Sequence, residues 1–140
     1  MLYDEQLPMV AMPLMNDTHL EEVILINKIA EAIEKRDAEE VDGLLDDLLA
    51  HTLIHFQTEE SMMREKGFPP YPMHKGEHDR ALDEMRKQVA SWKAQGDFEA
   101  LERYIGTTLP QWIIQHIGTM DMVTANFLVN GISPCGSGGC

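Results

Sequence analysis

The chain has little cysteine, little basic charge and no long apolar run, and each shortage removes a class of answer. Its two cysteines, Cys135 and Cys140, both fall in the closing C-G-S-G-G-C, so no disulfide can staple the body of the fold. Eleven basic residues stand against 24 acidic ones, a formal charge of −13. Such a surface repels nucleic acid and anionic membranes, so neither is an expected partner. No stretch reaches the ~20 apolar residues of a membrane helix. The N-terminus, M-L-Y-D-E-Q-L-P-M-V-A-M-P, has acids and prolines where a secretory leader has a basic start and an unbroken apolar core, which points to the cytoplasm. Aromatics make up only 6% of the residues, and nothing alternates with the period of a β-strand.

What is present is helical periodicity in 140 residues, enough for one domain. From about Asn16 to Arg36, His19, Val23, Ile26, Ala30 and Ile33 are spaced 4, 3, 4, 3, the seam of a bundled helix. Asp37 with Glu40 reads as a cap opening a second helix, with Val41, Leu45, Leu48, Thr52, His55, Glu59 and Met62 inward and a stop near Gly67. The proline-rich F-P-P-Y-P-M forms a loop into a third helix, from about Pro72 to Ala94, that turns His74, His78, Ala81, Met85 and Trp92 to one face. Gly96 closes it and Asp97 caps a fourth, running to about Gly131 with Leu101, Ile105, Trp112, His116, Val123 and Phe127 inward and a kink or restart at Pro110. The expected fold is an all-α, up-down-up-down four-helix bundle over residues 1–131, with a short N-terminal arm and a flexible Gly/Cys tail over 132–140.

The chemistry lies on the seams. Histidine and carboxylate at core positions lose hydration and need compensation. Here His19, His55, His74, His78 and His116 arrive from four helices, each on its inner face, with Glu59 four residues after His55 and Asp121 five after His116. A single such histidine is ordinary; five converging with two acids describe a metal centre. Imidazole and carboxylate without thiolate suit iron, manganese or zinc, and exclude zinc fingers and iron–sulfur clusters. Two octahedral ions need twelve ligand positions. Five imidazoles, two bridging carboxylates and one shared oxygen fill eleven, leaving one open. Glu-x-x-His, the hallmark of ferritin-like di-iron bundles, is absent, and so is H-E-x-x-H.

Over about Leu14 to Phe127 the sequence resembles the hemerythrin family, bacterial single-domain members especially. The resemblance rests on N-D-T-H ending at His19, H-F-Q-T-E-E from His55, Y-P-M-H-K-G-E-H from Tyr71 and W-I-I-Q-H-I-G-T-M-D from Trp112. It implies that His74, His78 and His116 hold one iron, His19 and His55 the other, and Glu59 and Asp121 bridge them beside an oxo or hydroxo group. It implies O2 uptake at the two-histidine iron, in a pocket lined by Phe56, Trp112, Ile113 and Ile117, with small anions such as azide as further ligands. The chain departs from the family at Ala81 and Thr124, where aromatics are common, and at Glu22, which stands where an apolar pocket residue is usual. The expected function is oxygen binding for storage, delivery or sensing rather than enzymatic turnover. A di-iron enzyme reducing peroxide or nitric oxide, and an iron-binding signalling module, are the alternatives. His51 is expected to be partly exposed beside the seam.

Overall fold

The computed structural model describes residues 7–130, so the tail with Cys135 and Cys140 lies outside the described residues. Among the described residues there is no strand, and the helices form the four rods of the bundle. The first is α1, Pro13–Glu34. It starts three residues before the expected Asn16 because Pro13 takes the first helical turn, where its missing amide costs nothing. The Asn16 side chain pins the preceding arm by bonding both the amide and the carbonyl of Val10 at 3.0 Å. The rod ends before Arg36, which turns the chain with a φ of 58°.

Helix α2, Ala38–Lys66, opens as expected: the Asp37 carboxylate accepts from the Glu40 amide at 3.1 Å. Gly67, at a φ of 65°, closes it in the left-handed conformation that a Cβ disfavours. Helix α3, Tyr71–Gln95, ends in the same way at Gly96. Its Trp92 donates to Asp42 of α2 at 2.6 Å, tying the two rods together.

The fourth rod is continuous over 98–130 but changes pitch twice. Helix α4, Phe98–Arg103, passes through a π-turn at Tyr104–Thr108 into α5, Leu109–His116, and a second π-turn at Ile117–Asp121 leads into α6, Met122–Asn130. The first lies just ahead of Pro110 and accommodates the amide that proline lacks, so the α-helix restarts at Leu109. The second shifts the register of everything after it. Val123, expected inward, is 37% exposed, while Thr124 and Ala125 are fully buried in its place.

Rod α1 packs on α2, α2 on α3, and the fourth rod closes the bundle against α1, α2 and α3. The apolar core, including Val23, Ile26, Ile29, Val41, Leu45, Leu48, Met85, Leu101 and Ile105, fills one end. At Ala81 the inward position passes to Leu82, and at Met62 to Met63. The other end of the interior is polar. No helix of the described residues is long and apolar enough to cross a membrane.

Candidate metal centre

All five seam histidines and both seam carboxylates are buried: His19, His55, Glu59, His74, His78, His116 and Asp121 have at most 7% of their surface exposed. They sort into two groups. Glu59, His74, His78, His116 and Asp121 offer atoms within 4.8 Å of one another, and so do His19, His55, Glu59 and Asp121. The carboxylates belong to both.

Each carboxylate divides its oxygens between the groups. Asp121 turns Oδ1 to the Nε2 atoms of His74 and His116, at 3.1 and 3.2 Å, and Oδ2 to His19 Nε2 at 3.0 Å. Glu59 turns Oε1 to His78 Nε2 at 3.2 Å and Oε2 to His55 Nε2 at 2.7 Å. Adjacent ligands of an octahedral ion, with bonds of ~2.1 Å, sit ~3.0 Å apart. These spacings match donor atoms around cations, and those of His19 and His55 are also hydrogen-bond lengths. Moreover, His78 Nε2, Glu59 Oε1 and Asp121 Oδ1 are buried and make no hydrogen bond, despite their short separations. A buried polar atom left without a partner costs about 1–3 kcal/mol, and a cation between these atoms would satisfy all three. The residues fit a metal pair.

The outer edges of two rings fix their tautomers. His78 Nδ1 faces Glu60 at 2.9 Å, and His74 Nδ1 faces the Thr124 hydroxyl at 2.7 Å. That hydroxyl already donates to the Met120 carbonyl at 2.8 Å, so it accepts from the ring. Glu77 lies 3.5 Å from His116 Nδ1, and Glu22 lies 3.4 Å from His55 Nδ1. A proton held on Nδ1 leaves the Nε2 lone pair facing inward, as a metal requires.

Electrostatics follow from this crowding. Burial alone would raise the Asp121 carboxyl, but the imidazoles of His116, His19 and His74 crowded against it outweigh that and hold it well below its ordinary value. Burial and the neighbouring Asp121 charge both push Glu59 up, and His55 with His78 reverses the balance, leaving it lowered. His55 is raised well above the ordinary imidazole value, since Glu59 and Glu22 overcome its burial. His74 moves down because burial dominates there.

Glu22 is 4% exposed. Its carboxylate accepts from the Thr52 hydroxyl at 3.2 Å and lies on the Nδ1 edge of His55, whereas Glu59 lies on the Nε2 edge. Phe56 stacks flat on His78 at 3.9 Å and Trp112 on His116 at 4.4 Å, so both aromatics cover the three-histidine group. Ile113 and Ile117 are buried in the adjoining core. His51 is 19% exposed at its side chain and pairs with Glu21 at 3.3 Å.

Sequence reasoning did not assign Glu60, Glu77, Thr52 or Thr124 a part in this arrangement. The one available signal was Thr52, a polar residue on the inward face expected of the second helix.

The family model described as the hemerythrin HHE cation binding domain matches residues 11–128. The chain belongs to the hemerythrin family. It is 36% identical to the bacteriohemerythrin of Aquifex aeolicus over 81% of this chain and 87% of that one. It is 38% identical to the bacteriohemerythrin of Ralstonia nicotianae over 74% of this chain and 72% of that one. Among solved structures, a wild-type hemerythrin superposes with a TM-score of 0.78 at 20% identity, covering 91% of this chain and 96% of the other. At that identity the superposition establishes the shared fold alone. The hemerythrin bundle therefore accounts for the rods.

Proposed function

We propose that this hemerythrin-family chain is an oxygen-binding protein with a non-haem di-iron centre. His74, His78 and His116 hold one iron, His19 and His55 the other, and Glu59 and Asp121 span the two. The observation that carries the reading is the division of each buried carboxylate, one oxygen toward each histidine group. One mononuclear site would not need it.

When bound, the iron pair supplies one-electron chemistry at each ion and an open coordination position. With two imidazoles against three, the His19–His55 side has fewer protein ligands, which assigns oxygen, or a small anion such as azide, to that side. The chain's own residues hold and shield. Thr124 and Glu60 retain the Nδ1 protons of His74 and His78, which keeps each Nε2 available, and the Glu22 carboxylate lies 3.4 Å from His55 Nδ1. Phe56 and Trp112 lie over His78 and His116 and keep water from those rings. The curated relatives carry the name bacteriohemerythrin, which supports binding rather than turnover.

Metal analysis combined with an optical spectrum of the reduced protein before and after exposure to air tests the reading. Two irons per chain and a spectrum that reverts when oxygen is removed are expected. One ion per chain, zinc throughout, or steady consumption of oxygen would overturn it.

A further inference from the structure

A cleft of about 250 Å3 runs between α1 and α2 and reaches the centre. Its walls include Leu14 and Thr18 of α1 and Ile54 and Met62 of α2, and its lining ends on His55 and Glu59. Leu14 and Ile54 are 57% and 63% exposed, while Glu59 is 2% exposed, so the cleft passes from surface to interior. A water molecule occupies about 30 Å3 of liquid, so a diatomic molecule has ample room.

Three further observations bear on its use. Of the seven residues of the centre, His55 is the most exposed, at 7%, against 0% for His74 and 1% for His78. The three-histidine group, by contrast, lies under the stacked rings of Phe56 and Trp112. Finally, the lining holds no lysine or arginine, and its charged surface residue is Glu21, whose side chain is 66% exposed beside His51.

We propose that the α1–α2 cleft is the entry path for small ligands, and that its apolar walls and acidic rim admit neutral diatomic gases in preference to anions. An apolar passage imposes little desolvation on a gas and a large one on an ion. The carboxylate of Glu21, within a molecule of net charge −13, adds a repulsion felt only by the ion. The identity of the gas rests on the oxygen-binding reading; whether the cleft conducts does not.

The test is rapid mixing of the iron-loaded protein with oxygen and, in its oxidised form, with azide. Thr18 is half-buried in the wall and its hydroxyl bonds only its own helix, at the Leu14 carbonyl, so Thr18→Trp plugs the cleft without touching the centre. An entry path governs both directions. Association and dissociation should therefore each slow by roughly tenfold or more while Kd stays within about twofold. Ile54→Trp, on an exposed side chain, is a second plug should the first variant fold poorly.

Glu21→Gln should speed azide association by about threefold at low salt, lose that advantage at ~0.5 M salt, and leave oxygen association unchanged. Xenon-pressurised crystals of the native protein should show xenon between Leu14 and Met62. Unchanged rates in plugged variants that retain native iron overturn the entry path, as does xenon bound elsewhere with none in the cleft. An equal response of oxygen and azide to Glu21→Gln overturns the charge filter. If the native protein takes up no oxygen, the functional reading fails, and the azide and xenon measurements still decide the cleft.

Discussion

His74 and His78 are held by both edges of the ring, and the two edges predict different failures. His78 offers Nε2 toward Glu59 and gives Nδ1 to Glu60. His78→Ala should therefore lose iron and lower the melting temperature, because Glu59 and Glu60 remain buried without their partner. Retention of both irons at the native melting temperature would remove His78 from the ligand set. Thr124→Val keeps shape but removes the acceptor for His74 Nδ1, and should weaken metal affinity by about 10–100-fold with the helical circular dichroism intact. A chelator competition series measures it. Glu22→Leu strands the Thr52 hydroxyl in a buried place and removes the carboxylate beside His55, so denaturant unfolding should show a loss of about 1–3 kcal/mol. A variant as stable as the native chain would return Glu22 to the role of a bystander.

At the scale of the element, the π-turn at Ile117–Asp121 does the positioning. His116 and Asp121 are five apart, which in an α-helix separates them by about 140°. A turn bonded i to i+5 brings them onto one face, where Asp121 Oδ1 meets His116 Nε2 at 3.2 Å. Removing one residue from the turn should restore α-helical pitch and leave the pair four apart, still on one face. Deletion of the exposed Thr119 is thus expected to retain both irons, whereas deletion of Gln115, between Trp112 and His116, should rotate Trp112 by about 100° out of register with the ligands and perturb the centre. Iron content and the visible spectrum of the two deletions check this, and loss of iron in the Thr119 deletion alone would refute it. The same turn explains why Val123 was misread as a core residue and Thr124 was not assigned: uniform 3.6-residue periodicity cannot register an inserted residue.

For the whole molecule, the buried polar end makes metal and fold interdependent. Glu22, Glu59, Glu60 and Asp121 share the interior with five imidazoles, in a chain already carrying −13. Cations bound only by the folded state stabilise it by mass action. Chelation should lower the melting temperature by roughly 10 °C or more, since in a domain of this size ~1 kcal/mol corresponds to ~4 °C. Added salt should recover part of that loss by screening self-repulsion. Scanning calorimetry of the holo and metal-free protein, at low salt and ~0.5 M salt, measures both effects. A metal-free protein that melts with the holo form would sever metal from fold.

The sequence by itself determined the rods, their caps at Asp37 and Asp97, their glycine stops at Gly67 and Gly96, and the inward set of five histidines and two acids. Each of these follows from local stereochemistry or from a hydrophobic period within one helix. Only the tertiary structure decided which oxygen of Glu59 and Asp121 faces which histidine group, which acceptors hold the Nδ1 protons, that Glu22 stands behind His55, and that a cleft opens between α1 and α2. Those depend on distances between residues far apart in the chain, such as His19 and Asp121 or His74 and Thr124, and on a π-turn that moves one helix by a single position. Helical spacing specifies the face a residue presents; the packing of four rods specifies which atoms on those faces meet.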